Sequence, residues 1–139
     1  MNASTRLDDR LAIWDVKARY CRFLDTKQWD SFSALFTDDA ILDVVDAGGP
    51  PAVQGRDNVL ELVKGSVETA STAHHVHTPE IAFDGDAADV IWAMQDRVVY
   101  AEGHGLVGYG HYTERYRKQD GVWKIAYLKL TRLHVDLTA

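Results

Sequence analysis

The stretch HHVHTPEIAFDGDAADVIWAMQDRVVYAEGHGLVGYGHYTERYRKQDGVWKIAYLKLTRLHV, residues 74–135, carries no helical period and is broken by three tight turns. These are Asp84-Gly85-Asp86, Gly103-His104-Gly105 and Asp120-Gly121, each with the Gly chemistry of an antiparallel hairpin. They predict four strands: His74 to Phe83, Ala88 to Ala101, Leu106 to Lys118 and Val122 to Val135. Strands this long must twist and curl, so the C-terminal half reads as one curved meander.

The N-terminal half has a different period. Thr5-Arg6-Leu7-Asp8 is spaced as a capping box, and a helix is predicted from there to about Leu24. A second helix is expected from Trp29 to Phe36, ended by Thr37-Asp38-Asp39. Ala40 to Val45 reads as a strand, Ala47-Gly48-Gly49-Pro50-Pro51 as a loop, and Arg56 or Asp57 opens a third helix to about Thr69. Helices followed by a meander define an α+β domain, and helices lying in the concave face of the sheet leave a pocket between the layers.

With 139 residues, 46% hydrophobic and 26% charged, the chain reads as one domain spanning residues 1–139. A net charge of −6 with interleaved basic residues argues against a nucleic-acid partner and against a membrane surface. No secretory segment is read at the N-terminus and the single cysteine, Cys21, falls among apolar residues, so a reducing cytoplasm is the expected compartment. The remaining partner is a small, largely hydrophobic molecule or another protein.

Asp25 is the conspicuous residue of the first helix. Leu7, Leu11, Trp14, Ala18, Cys21 and Asp25 recur at steps of four and three and form one stripe, while Ile13, Val16, Tyr20, Phe23 and Leu24 form a second face, so the helix is expected to be covered on both sides. A carboxylate at the end of a core stripe must cap a backbone, pair with a partner or do chemistry. Capping of the second helix is the simplest of the three. Tyr20 lies about 140° from Asp25 around an ideal helix and reads as core packing.

On the strands, His74 and His75 are adjacent and therefore point to opposite faces. Parity with Ile81 and Phe83 favours His75 as the inward one. Val90, Trp92, Met94, Asp96, Val98 and Tyr100 share a face, which makes Asp96 a second acid in an apolar row; an ion pair with Arg97 or Arg115 would account for it. His75 and His77 share a strand face, but no Asp or Glu stands at a matching spacing, so no metal site is expected. No Gly-rich phosphate loop or nucleophile elbow is present, and no cofactor is expected.

Several of these segments together resemble the SnoaL-like branch of the nuclear transport factor 2-like superfamily, the cone-shaped α+β barrels. The resemblance rests on Arg19-Tyr20-Cys21-Arg22-Phe23-Leu24-Asp25 with Lys27-Gln28-Trp29-Asp30, Leu35-Phe36-Thr37-Asp38-Asp39-Ala40, Ala73-His74-His75-Val76-His77 before Asp84-Gly85-Asp86, and Tyr116-Arg117-Lys118 with Asp120-Gly121-Val122-Trp123-Lys124-Ile125. It implies three N-terminal helices packed in the concave face of a curved, mainly antiparallel sheet. Within the branch the chain is similar to scytalone dehydratase, bile-acid 7α-dehydratase and hexachlorocyclohexane dehydrochlorinase, eliminating enzymes that need no cofactor.

Their shared Asp and His fall on Asp25 and His74, and the Tyr and Asp of the bile-acid enzyme fall on Tyr20 and Asp96. The chain departs from scytalone dehydratase at Leu24, Val44 and Tyr100, and from the dehydrochlorinase at Tyr20 and Leu128, so none of those substrates carries over.

The resemblance thus implies a dehydratase-like lyase with a His74 base oriented by Asp25. Tyr20 and Tyr100 would be donors to an enolate oxygen, and Asp96 a further polar group held protonated by its apolar row. Tyr100, Trp92, Met94, His75 and Trp14 are the expected lining of the substrate pocket. It further implies a homo-oligomer, a trimer ahead of a dimer. A proton-shuttling isomerase, a non-catalytic ligand-binding module and an assembly subunit are the rival readings.

Overall fold

The computed structural model describes residues 3–139, with side chains from Arg6 onward. Helices α1 (Ala3–Asp25), α2 (Trp29–Ser33) and α3 (Arg56–Val67) pack on one sheet of seven strands. The strands are β1 (Phe36–Asp43), β2 (Val53–Gln54), β3 (Ser71–Val76), β4 (Glu80–Asp84), β5 (Ala87–Val99), β6 (Gly105–Gln119) and β7 (Val122–Thr138). The order is β2-β1-β7-β6-β5-β3, with β4 on the same edge of β5 as β3, and only β1 and β7 run parallel. The sheet is curved and unclosed, and the fold is α+β as the sequence predicts. No described helix is long and apolar enough to cross a membrane.

The three predicted turns all form. At the last one Asp120 and Gly121 have φ of 51° and 78°, the left-handed pair that a two-residue I′ hairpin requires. Element ends differ from the sequence reading where tertiary pairing intervenes. Helix α1 begins at Ala3, so Thr5 sits inside the first turn instead of capping it, and the Thr5 side chain lies outside the described residues. Helix α2 stops at Ser33 because Phe36 already pairs with Ile125 of β7, which draws Thr37 to Asp39 into β1 instead of a helix-ending turn. Helix α3 ends two residues early, at Val67.

The predicted strand from His74 to Phe83 is two strands. Pro79, which has no N–H for a ladder bond and a fixed φ, lies in the gap between β3 and β4. That break resets the alternation. In β3 the residues turned inward are Thr72, His74 and Val76, whereas in β4 they are Ile81 and Phe83. Parity carried across Pro79 therefore picks the wrong histidine: His74 faces in and His75 is exposed.

Helix α1 also corrects the expected stripe. Leu7, Leu11 and Trp14 are 53%, 48% and 45% exposed, while the buried face carries Asp9, Ile13, Val16, Lys17, Tyr20, Cys21 and Leu24. The core face lies about 100° around the helix from the stripe that the apolar residues mark out. It is the expected second face, Ile13, Val16, Tyr20 and Leu24, extended by two charged groups that no hydrophobic period marks. Each has partners on the sheet: Asp9 accepts from Trp123 Nε1 at 3.0 Å and Lys118 Nζ at 3.2 Å, and Lys17 Nζ lies 2.5 Å from Glu114 Oε2.

Strand β6 owes its close approach to β7 to glycine. A Cβ at Gly110 would lie 1.9 Å from the Thr131 carbonyl oxygen, a backbone atom that cannot turn aside, whereas Gly65 in α3 has open space around it. Gly110→Ala is expected to cost about 1–3 kcal/mol. Gly65→Ala is expected to add about 0.5–1 kcal/mol, from helix propensity. Chemical denaturation of the two variants checks the opposite signs; equal effects would refute the assignment of Gly110 to a strand contact.

Candidate functional site

A cavity of about 420 Å³ opens between the concave face of the sheet, the C-terminal half of α1 and α3. Its walls are largely aliphatic, with Leu24, Leu42, Leu62, Leu128 and Leu130 among them. Seven polar side chains reach it: Tyr20 from α1, Ser66 from α3, His74 from β3, Asp96 and Tyr100 at and beyond the end of β5, Tyr112 from β6 and Arg132 from β7. The size and the ratio of apolar wall to polar groups suit a small organic ligand.

Asp25 is tied to β3 by three hydrogen bonds. Its Oδ2 accepts from the His74 backbone N–H at 2.8 Å, and its Oδ1 accepts from the Thr72 hydroxyl at 2.9 Å and lies 2.7 Å from His74 Nδ1. Burial pushes the carboxyl up, but the bonds from the His74 ring, the His74 backbone and Thr72 outweigh it and hold Asp25 below the usual carboxylate range. The alternative of a helix cap is not realised: Gln28 is the N-cap of α2 and no side chain caps it.

The chain turn beside Asp25 is strained. Lys27 takes a φ of 59°, the left-handed position that glycine usually fills at a helix end, while Lys27 and Gln28 N–H close onto Leu24 and Phe23. Lys27 Nζ in turn donates to the Thr72 hydroxyl at 3.0 Å. The lysine thereby links the helix end to the same strand that carries His74.

Asp96 stands directly opposite His74 in the β3–β5 register. Its Oδ2 lies 4.0 Å from His74 Nε2, and both its oxygens receive the Arg132 guanidinium, Nη1 to Oδ1 at 2.7 Å and Nη2 to Oδ2 at 2.9 Å. Hydrogen bonding to Asp96 raises the Arg132 pKa. This fork belongs to an ionised carboxylate, so the expectation of a protonated Asp96 gives way to an ion pair. Neither expected partner is used: Arg97 donates to the Val98 and Leu106 carbonyls, and Arg115 meets Asp84 and Asp89. Gly108 on the intervening strand permits the pair, since a Cβ there would lie 1.9 Å from Arg132 Nη1 and 2.5 Å from Asp96 Oδ1.

Of the residues singled out in the sequence, Tyr20, His74, Asp96 and Tyr100 line the cavity, and Asp25 stands behind His74. Four expected lining residues do not. Trp92 and Met94 are buried on the inward row of β5 but are not in the cavity wall; Trp92 gives its indole N–H to Glu114 at 2.8 Å. His75 points outward as the alternate neighbour of His74 in β3, and Trp14 lies on the exposed face of α1. Cys21 is buried, which pushes its thiol up to about 11 and keeps it protonated.

Arg132 and Tyr112 were not singled out. The signal for Arg132 was present, since it continues the inward row of Leu128 and Leu130 as Asp96 interrupts that of Met94 and Val98.

This constellation sits in a chain that belongs to the SnoaL-like domain family, whose pattern matches residues 5–129. Among curated proteins the chain is 27% identical to the probable cyclase FGR4 of Gibberella zeae over 133 residues, covering 87% of this chain and 89% of that one. Among solved structures, a candidate scytalone dehydratase from Novosphingobium aromaticivorans superposes with a TM-score of 0.88 at 24% identity, covering 97% and 91% of the two chains. Hexachlorocyclohexane dehydrochlorinase LinA-type3 from Novosphingobium barchaimii gives a TM-score of 0.87 at 23% identity, covering 99% and 95%.

The lowered pKa of Asp25 has a consequence for acid stability. Its contribution is complete above the unfolded-state value of about 3.9 and disappears as pH falls through the lower folded-state value. Asp25→Asn should therefore show a shallower loss of melting temperature than the parent in that acid window. Coincident acid limbs in thermal scans would show that the His74 and Thr72 bonds do not favour the ionised form.

Proposed function

We propose that the protein is a cofactor-independent lyase of the dehydratase type, acting on a small, largely apolar hydroxy-carbonyl compound. One observation carries the reading: His74 Nδ1 is bound by Asp25, which leaves Nε2 as the lone-pair nitrogen on the cavity side. In that tautomer Nε2 takes the proton α to the carbonyl, and Asp25 stabilises the imidazolium that results. His74 then returns the proton to the departing hydroxyl. Charge develops on the carbonyl oxygen during the first step, and we assign its stabilisation to the phenols of Tyr20 and Tyr100, which both line the cavity.

The charges around the cavity support a neutral substrate. Arg132 is already paired with Asp96 and Lys17 with Glu114, so neither cation is left to bind a free carboxylate. The names of two structural relatives, a dehydratase and a dehydrochlorinase, both denote eliminations, and family membership is consistent with the class. A proton-shuttling isomerase would use the same first step without a leaving group.

That first step can be measured before the substrate is known. Small cyclic ketones incubated with the protein in deuterated water should exchange their α-protons, read by mass spectrometry. His74→Ala is expected to lower the exchange rate by roughly 10²–10⁴-fold. Asp25→Asn, which disturbs the tautomer, should lower it by about 10²-fold or more. Exchange unchanged in His74→Ala would remove His74 as the base.

A further inference from the structure

Behind two of the cavity phenols lies a charge pair that the reaction above does not use. Lys17 and Glu114 are both fully buried, and their side chains are in direct contact. Glu114 is saturated: its other oxygen accepts from Trp92 Nε1 at 2.8 Å and from the Tyr116 hydroxyl at 2.6 Å. The Lys17 ammonium lies 3.7 Å from the centroid of the Tyr20 ring and 3.7 Å from that of Tyr112. It is held between two aromatic faces that belong to the cavity wall.

Stability does not explain this arrangement. Taking two ions out of water costs several kcal/mol per ion, and apolar side chains of similar volume commonly serve as well. A cation held against a π-face withdraws electron density from the ring and favours negative charge at its substituent. For Tyr20 and Tyr112 that substituent is the hydroxyl. Both side chains are almost wholly buried, and among the described residues neither hydroxyl is donated to a carboxylate or a carbonyl. The two rings meet edge to face with centroids 5.9 Å apart, and burial raises both phenols well above their ordinary pKa, so both stay un-ionised and able to donate.

We propose that Tyr20 and Tyr112 together donate to the oxyanion of the bound ligand, and that Lys17, fixed by Glu114, is the positioning residue that holds the two rings and charges the wall behind them. This rests on the proposed proton abstraction, because only that step creates an oxyanion. It adds Tyr112 to the donors and gives the buried pair a task. The ligand class that follows has a planar oxyanion beside an apolar body, which a phenolate or naphtholate imitates as a stable molecule.

The probes are 2-naphthol and a nitrophenol, whose neutral and ionised forms differ in absorbance, with 2-methoxynaphthalene as the control that cannot ionise. When the probe ionises, its O–H bond breaks and the proton passes to His74 Nε2 or to water. The parent protein is expected to hold more of the bound probe as anion than the buffer does. Lys17→Met combined with Glu114→Gln, which removes both charges and keeps an acceptor for Trp92 and Tyr116, should lower the bound anion-to-neutral ratio by about tenfold. Binding of 2-methoxynaphthalene should stay within about twofold. If that variant does not fold, Tyr112→Phe keeps the ring over Lys17, removes only the hydroxyl and should lower the ratio in the same direction.

A ratio unchanged in the variants, or a parent protein that does not enrich the anion, overturns the proposal. The test is separable from that of the His74 base. Anion enrichment lost with Lys17 supports the wall even where His74→Ala leaves α-proton exchange unchanged, and intact exchange with unaltered probe ionisation overturns the wall alone.

Discussion

Three of the charged side chains that helix α1 sets against the sheet, Asp9, Lys17 and Asp25, are at least partly buried, and the rest of the structure depends on each finding its partner. Asp9 meets Trp123 and Lys118, Lys17 meets Glu114, and Asp25 meets Thr72 and His74. The partners lie on β7, β6 and β3, so the three bonds span the concave face. A helix rotated by about 100° would bury Leu7, Leu11 and Trp14, but it would strand those sheet partners without their counter-charges. A buried charge left alone costs several kcal/mol, more than one leucine gains by burial. Charge compensation therefore sets the rotation of α1, and that rotation brings Tyr20 to the cavity and Asp25 to His74.

The same fact explains what could be read from the chain and what could not. The architecture was legible because turn chemistry and alternation are local: the Gly-containing turns and the three helices are where their residues predict. The apolar part of the buried face of α1, Ile13, Val16, Tyr20 and Leu24, was legible as its second face, but Asp9 and Lys17 were not, since they look solvent-facing until partners more than ninety positions away are known. His74 was read correctly only from the family resemblance; strand parity failed because Pro79 interrupts the alternation. Asp96 stood out as an acid in an apolar row, and Arg132 had an equivalent signal on β7. What the sequence withheld was their pairing, which depends on Gly108 leaving room across an intervening strand.

Around His74 the charges alternate in one line. Lys27 reaches Thr72, Thr72 donates to Asp25, Asp25 binds His74 Nδ1, and beyond the ring Asp96 faces Nε2 while paired to Arg132. The imidazole thus lies between two carboxylates that differ in kind. Asp25 is hydrogen-bonded to the ring itself, at 2.7 Å from Nδ1. Asp96 is 4.0 Å away, and both its oxygens are taken by the Arg132 guanidinium. The ring itself lies in the cavity wall.

Asp25 fixes more than a tautomer. Its two oxygens bind the backbone and the ring of the same residue, so the carboxylate grips His74 at two points whose separation depends on the rotamer. A change of χ1 would break the ring bond while the backbone bond remained, and Thr72 would still hold the carboxylate in place. The imidazole is therefore held in one rotamer by a group that cannot follow it elsewhere. A side chain free to change rotamer would spend only part of its time in this geometry, and the grip on ring and backbone removes that freedom. The strained Lys27 turn serves the same grip: it ends α1 at the residue whose carboxylate reaches β3.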